Sequence, residues 1–133
     1  MREIIARNIL FNLYDVLNKT QVIKYLKFYN KTQWYTEDKI KELQNKRLKE
    51  LVTYSYRNVP YYKELMDKLN VKPKDVNDIS DLKRFPILTK TIIKKNEPAI
   101  ITKSNIKKIK NSTSGSTGSP LRFFYGTYGY SNQ

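Results

Sequence analysis

The sequence contains no cysteine and no histidine. Their absence excludes disulfide bonds, thiolate nucleophiles, Ser-His-Asp catalysis and the usual zinc sites. Long apolar runs are also lacking, because the first apolar stretch, residues 4–17, is interrupted by Arg7, Asn8, Asn12 and Asp15. Such a stretch matches neither the core of a signal peptide nor a transmembrane segment, so a cytoplasmic location is the default expectation.

Acidic residues are scarce, with 12 Asp plus Glu against 26 Lys plus Arg and a net charge of +14. An excess of this size attracts polyanions such as nucleic acid, anionic lipid or phosphorylated substrates. Lysine accounts for 20 of the 26 basic residues, however, and asparagine and isoleucine are also abundant. A codon bias toward AT-rich triplets would produce the same pattern, so the charge alone does not identify a partner.

The length of 133 residues corresponds to a single domain. Hydrophobic residues make up 39% of the chain, which is enough for a core and argues against disorder throughout.

Helical periodicity of apolar residues predicts two N-terminal helices, over residues 4–17 and 22–29. Thr36 is followed by two acidic residues, the pattern of an N-cap and first turn, so a long helix is expected to begin there. That helix should reach Arg57, because Pro60 disfavours helical geometry in the residue before it.

Shorter helical pieces are predicted downstream. Pro60 suits the first turn of a helix over residues 61–69. Residues 78–84 and 90–95 form two further short pieces, the second with Thr89 as its N-cap.

The segment of residues 85–88 is short and contains a proline, so it is predicted to be an extended connector. We expect this connector to bury Phe85, Ile87 and Leu88 against the helices, a packing role that needs no ligand.

Glycine is confined to the end of the chain, since all four glycines lie in the last nineteen residues. Residues 106–110 and 121–125 flank the first two glycines, and the second segment alternates apolar and other side chains. This pattern predicts a strand, a loop and a second strand.

The predicted loop has the composition of a phosphate-binding segment. Residues 112–118 contain five hydroxyl side chains and two glycines. Glycines let backbone N–H groups face an anion, and short hydroxyls add donors for phosphate oxygens or Mg2+. Basic neighbours would raise the local positive potential, namely Lys107, Lys108, Lys110 and Arg122.

A flexible Ser/Gly linker would have a similar composition. The flanking strands and Pro120, placed directly before the second strand, favour a loop of defined shape over a linker. No lysine follows Gly118, so the segment does not match the Walker pattern of P-loop NTPases.

Residues 113–120, Thr-Ser-Gly-Ser-Thr-Gly-Ser-Pro, resemble the phosphate-binding signature of the adenylate-forming superfamily. Residues 48–62 and 78–90 are similar to the phenylacetate:CoA ligase branch of that superfamily, which includes capsular polysaccharide biosynthesis relatives of the CapK type. Together the three stretches extend the resemblance over about residues 36–125.

The resemblance implies an enzyme that uses ATP and Mg2+ to activate a small carboxylic acid as an acyl-adenylate, and then transfers the acyl group to a thiol, commonly coenzyme A. It implies six nucleotide contacts, at Thr113, Ser114, Gly115, Ser116, Thr117 and Gly118. Many superfamily members place lysine directly after the proline, whereas this chain has Leu121 followed by Arg122.

The implied fold is α+β, with a mainly helical part over residues 1–98 and a strand-loop-strand over residues 104–126. Under the resemblance, the chain is expected to be an N-terminal fragment of the adenylate-forming large domain, without the C-terminal domain. It would then contain no catalytic residue and be inactive alone, unless a separately encoded C-terminal part joins it.

Two other functions remain open at this point. The net charge of +14 and the eleven tyrosines suit a nucleic-acid-binding module, although no recognised nucleic-acid-binding motif is present and no specific nucleic-acid partner is expected. The amphipathic N-terminal helix and its basic surroundings suit a peripheral membrane or scaffold protein.

Overall fold

The computed structural model describes residues 11–18, 21–113 and 120–126. The chain divides into two compact units, of which one is Thr36–Asn105 and the other takes its described residues from Met1–Tyr35 and Ile106–Gln133. The described elements are helices and one two-stranded antiparallel sheet. This mixed content confirms the α+β class predicted from the sequence.

The residues described before position 36 include two helices: α1, Phe11–Asn18, and α2, Val22–Thr32. Prediction and structure agree for the described part of the first helix, and the second continues three residues beyond the predicted end. The Asp15 carboxylate accepts hydrogen bonds from the backbone N–H groups of Val22 and Ile23, at 3.0 and 2.9 Å. Asp15 therefore caps α2 from the preceding helix, because the first N–H groups of a helix have no partner within it.

The long predicted helix is present as α3, Glu37–Asn58, and the next is α4, Pro60–Lys68. Val59 lies between them in extended geometry, and Pro60 occupies the first turn of α4, as the sequence predicts. Thr36 does stand at the N-cap of α3, but its side chain makes no capping hydrogen bond.

Short pieces complete this unit. Asp78 accepts a hydrogen bond from the Ser80 amide at 2.7 Å, and Thr89 Oγ1 accepts one from the Ile92 amide at 3.3 Å. Both residues are therefore N-caps, as the pattern of short polar residues before each piece indicates. The pieces are 3-10 turns at Pro73–Asp75 and Ile79–Arg84, and helices α5, Lys90–Lys95, and α6, Glu97–Ile100.

The core of this unit is small. Its buried side chains come from α3, α4 and the segment that follows α4: Val52, Met66, Val71 and Val76. Leu48, Tyr56 and Phe85 pack against it while partly exposed. Met66 is only 1% exposed, and burying such a side chain stabilises the fold by about 1.5 to 3 kcal/mol.

One packing prediction is wrong. Phe85 packs against the core and Leu88 is half-buried, but Ile87 is 86% exposed. The extended connector passes over an apolar cavity and leaves Ile87 at its open rim, where no described residue covers it.

The sheet consists of β1, Lys108–Ser112, and β2, Arg122–Gly126, paired antiparallel. Its strands begin two residues and one residue later than predicted, respectively. Lys108 pairs with Gly126 and Ser112 with Arg122. Most of the predicted loop, residues 114–119, lies outside the described residues.

Within the described ranges, α3 is the longest helix at 22 residues, and it carries many charged side chains. None of the described helices combines the length and apolar character required to span a bilayer.

Candidate functional site

Thr113 and Leu121 close the base of the hairpin loop. The Thr113 N–H donates to the Leu121 carbonyl at 3.0 Å, and the Leu121 N–H donates to Thr113 Oγ1 at 3.0 Å. The side chain of Thr113 thus takes the place of one backbone bond in the ladder. Residues 114–120 are the segment that this pair joins.

Thr113 keeps a donor for a ligand. Its oxygen is the acceptor in the bond from Leu121, so the hydroxyl hydrogen remains available to an oxygen of another group. Thr113 is also exposed. The other five predicted nucleotide contacts, Ser114, Gly115, Ser116, Thr117 and Gly118, lie outside the described residues, and their role stays a prediction.

The register of the hairpin separates its side chains onto two faces. Residues paired across an antiparallel ladder share a face, and neighbours along a strand alternate. Ser112 pairs with Arg122, and Lys110 pairs with Phe124. Three of the four predicted basic neighbours therefore share one face, Lys108, Lys110 and Arg122, and all three are exposed.

The opposite face of the hairpin is largely apolar. Ile109 pairs with Tyr125, and Asn111 pairs with Phe123. The rings of Phe123 and Tyr125 lie 6.3 Å apart between centroids, as expected for residues two apart on one strand. One face of the hairpin thus carries the three cations with Phe124 among them, and the other carries the rings of Phe123 and Tyr125.

An apolar cavity of about 500 Å³ lies in the Thr36–Asn105 unit. Its walls come from α3, α4 and residues 82–88, and include Leu48, Leu51, Leu65, Met66, Phe85 and Leu88. Tyr62 also lines it, and burial raises the pKa of the Tyr62 hydroxyl above its usual value. The resembling stretches 48–62 and 78–90 thus meet in packing contacts, which agrees with their predicted packing role.

Comparison with known proteins favours one of the functions left open. No family model matches the chain. Protein CapK of Staphylococcus aureus is 37% identical over 92 residues, which is 69% of this chain and 20% of CapK. Phenylacetate-coenzyme A ligase of Thermus thermophilus is 35% identical over 86 residues, 62% of this chain and 19% of the ligase. The Escherichia coli ligase of the same name is also 35% identical over 86 residues, 62% of this chain and 20% of the ligase.

This chain is a relative of CapK and the phenylacetate-coenzyme A ligases. The relationship confirms the family resemblance seen in the sequence, and it favours a ligase over a nucleic-acid-binding or membrane-surface protein. The chain spans about a fifth of the length of the curated relatives it matches.

Leu121 occupies the position after the proline where many superfamily members have lysine, and the structure shows what Leu121 does there. Leu121 uses both its N–H and its carbonyl to close the loop base with Thr113. Arg122 is the next residue and lies on the basic face of the hairpin. The nearest cation after Pro120 is therefore one residue later than the lysine of many superfamily members.

A cluster of hydroxyls on α3 and residues 102–104 was not predicted from the sequence. Tyr54 on α3 contacts Thr102 Oγ1 at 2.9 Å and Ser104 Oγ at 2.6 Å, and the Lys103 N–H donates to the Asn58 carbonyl at 2.7 Å. These contacts attach residues 102–104 to α3. Because the partners are about fifty positions apart, no local spacing could reveal them.

A second unpredicted cluster centres on Asp67. Its carboxylate accepts hydrogen bonds from Lys63 and Lys72, both at 2.7 Å, and from the Tyr56 hydroxyl at 2.8 Å. These bonds hold the pKa of Asp67 well below its usual value, because they stabilise the charged form. Only the i to i+4 pair of Lys63 and Asp67 could have been read from the sequence.

Proposed function

We propose that this chain supplies the triphosphate-binding loop of an ATP-dependent ligase that joins a carboxylic acid to coenzyme A through an acyl-adenylate. The single observation that supports the proposal best is the loop base. Thr113 and Leu121 join the ends of a segment of hydroxyls and glycines, next to a face with three exposed cations. The kinship with phenylacetate-coenzyme A ligases supplies the reaction class.

The chemistry requires a loop of this kind. The acid's carboxylate oxygen attacks the α-phosphorus of ATP, and the bond to the β-phosphate oxygen breaks to release diphosphate. Negative charge then accumulates on the departing β- and γ-phosphates, where backbone N–H groups, hydroxyls and Mg2+ stabilise it. In this proposal Thr113 donates its hydroxyl hydrogen there, and residues 114–118 supply the remaining donors.

The other parts of the active site would come from further residues, either of a longer polypeptide or of a separately encoded partner. They would bind the adenine, the acid and coenzyme A, and would supply the charges that converge on the reacting phosphate. The present chain would therefore bind nucleotide without completing the reaction alone.

The test is a titration of the full chain with a fluorescent ATP analogue and Mg2+, compared between two glycine variants. In Gly118→Ala a methyl group stands where a backbone N–H is proposed to face phosphate, so we expect binding to weaken about tenfold. Gly126→Ala is the matched control, because its new methyl would meet Ile106 Cδ1 at 3.6 Å, an ordinary contact. We expect Gly126→Ala to bind within about twofold of the native chain.

The dependence on Mg2+ provides a second measurement. If the loop holds the β- and γ-phosphates with the ion, chelating Mg2+ should weaken ATP binding in the native chain and matter less in Gly118→Ala. The proposal fails if the native chain does not bind ATP, or if the two glycine variants bind it equally.

A further inference from the structure

A groove lined by cations lies within the Thr36–Asn105 unit and involves no residue of the hairpin. It has a volume of about 670 Å³ and runs between the second half of α3 and the turn Pro73–Asp75. Four of its lining residues are basic, Lys49, Arg57, Lys72 and Lys74, and none is acidic.

The helix places several of these groups in one row. Lys49, Thr53 and Arg57 are spaced four residues apart, so they follow one another along one face of α3. Lys72 and Lys74 approach that row from the turn. Thr53 is half-buried and adds a hydroxyl between the two helical cations.

One cation of the groove is already neutralised. Lys72 donates to Asp67 at 2.7 Å and contacts the Tyr56 hydroxyl at 3.4 Å, and its ammonium lies 5.6 Å from the centroid of the Tyr56 ring. These contacts fix the position of Lys72 at the wall of the groove. Glu50, the nearest acidic residue along α3, lines an adjacent groove that shares the α3 row with this one, and it forms no ion pair with that row in the described part of the chain.

The other three cations have no ion-pair partner in the described part of the chain: Lys49, Arg57 and Lys74. Lys41 shows the contrast on the same helix, since it pairs with Glu37 at 2.7 Å. Like charges that share a groove repel one another, and this repulsion lowers the stability of the folded chain. A bound anion would remove that repulsion.

We propose that this groove binds a soluble ligand that carries a diphosphate group. A phosphate monoester has about two negative charges near neutral pH, so three unpaired cations match more than one phosphate group. The Arg57 guanidinium offers paired donors for phosphate oxygens, and the lysines act as point charges beside it. The volume lies within the roughly 300–1,000 Å³ of ligand sites.

The experiment is an amide-resolved NMR titration of the full chain with inorganic diphosphate. We expect saturable shifts at the backbone amides of Lys49, Thr53, Arg57 and residues 72–74. Amides in or beside the hairpin loop report the separate site of the proposed function. Shifts confined to the loop would overturn the groove proposal and leave the proposed function standing. Saturable shifts at the groove amides would support the groove proposal whether or not the loop responds, and the proposed function is decided separately by the ATP titration.

Two triple variants remove equal charge. The groove variant carries Lys49→Gln, Arg57→Gln and Lys74→Gln, and the control carries Lys83→Gln, Lys90→Gln and Lys95→Gln, which change exposed residues outside the groove. Each lowers the net charge from +14 to +11, because three cations are replaced by neutral side chains.

We expect the dissociation constant for diphosphate at the groove amides to rise about tenfold in the groove variant and less than about twofold in the control. Arg57→Lys, which keeps the charge and loses the paired donors, should fall between them. If both triple variants weaken diphosphate binding equally, the effect comes from overall charge and the proposal is overturned. The spectrum of each variant shows directly whether it is folded.

Discussion

Asp67 shows how one side chain organises the surface of α4. Three donors converge on its carboxylate, from Lys63 one helical turn earlier, from Lys72 beyond the end of α4 and from Tyr56 on α3. Both ammonium groups also lie over the Tyr56 ring, at 5.4 and 5.6 Å from its centroid. The carboxylate thus links two helices and the segment that follows them.

The lowered pKa of Asp67 predicts how stability changes with acid. A carboxyl group whose pKa is lower in the folded state stabilises the fold above its unfolded pKa, near 4, and loses that contribution as pH falls through the folded value. We expect Asp67→Asn to lower the urea midpoint near pH 7, and we expect its difference from the native chain to shrink as pH falls below about 4.

Urea unfolding followed by circular dichroism at several pH values measures this difference. Glu42→Gln serves as a control, because Glu42 is exposed and forms no ion pair in the described part of the chain. If Asp67→Asn and Glu42→Gln show the same urea midpoints across the pH series, the hydrogen bonds of Asp67 do not contribute to stability.

At the scale of elements, the hairpin depends on the side chain of Thr113 as well as on its backbone. The bond from the Leu121 N–H to Thr113 Oγ1 lies beyond the last paired residues of the ladder. A hydrogen bond of this kind contributes about 1 kcal/mol. The loop base should therefore be sensitive to a change that removes one oxygen atom.

We predict that Thr113→Val loosens the loop base and that Thr113→Ser preserves it. Valine has the shape of threonine without the acceptor, so the Leu121 amide should exchange with solvent about fivefold faster, the equivalent of about 1 kcal/mol. Hydrogen exchange measured by NMR gives the rate directly. Equal protection of Leu121 in both variants would show that Thr113 Oγ1 does not hold the loop base.

Local chemistry explains which elements could be predicted from the sequence. Pro60 and Thr89 act on neighbours within a few positions, so the helix starts they set were predicted correctly. The cap on α2 was missed because its acceptor, Asp15, belongs to the previous helix. Ile87 was misplaced because apolar character alone does not show whether another element covers a side chain.

At the scale of the whole molecule, few side chains carry the stability of the Thr36–Asn105 unit. Its buried cluster contains four residues, drawn from α3, α4 and residues 71–76. With so small a core, each methylene removed from water is a large share of the net stability. Apolar residues at the rim of the cavity contribute much less, because they stay in solvent.

We predict a strong contrast between Met66→Ala and Ile87→Ala. Met66 is 1% exposed, so its truncation should cost about 2 to 5 kcal/mol and is expected to unfold much of this unit. Ile87 is 86% exposed, and its truncation should change stability by less than about 0.5 kcal/mol. Thermal unfolding of both variants by circular dichroism makes the comparison, and similar midpoints would place the core elsewhere.

The candidate sites differ in how far the sequence could predict them. The proposed phosphate loop could be named from the sequence, because its hydroxyls and glycines are adjacent in the chain, and its role stays a prediction. The cationic groove was not, because Arg57 and Lys74 are brought together only when the turn packs on α3. In the sequence, Arg57 and Lys74 are two basic residues among 26.

The pairing of β1 with β2 has a consequence for natural variation in this segment. Seven positions, 114–120, separate Thr113 from Leu121, and closing a slightly longer or shorter span changes the entropy of closure very little. Homologues with an insertion or deletion there would keep the same strand partners. A single residue gained inside either strand would instead turn the side chains beyond it to the opposite face, and would bring lysines onto the face of Phe123 and Tyr125.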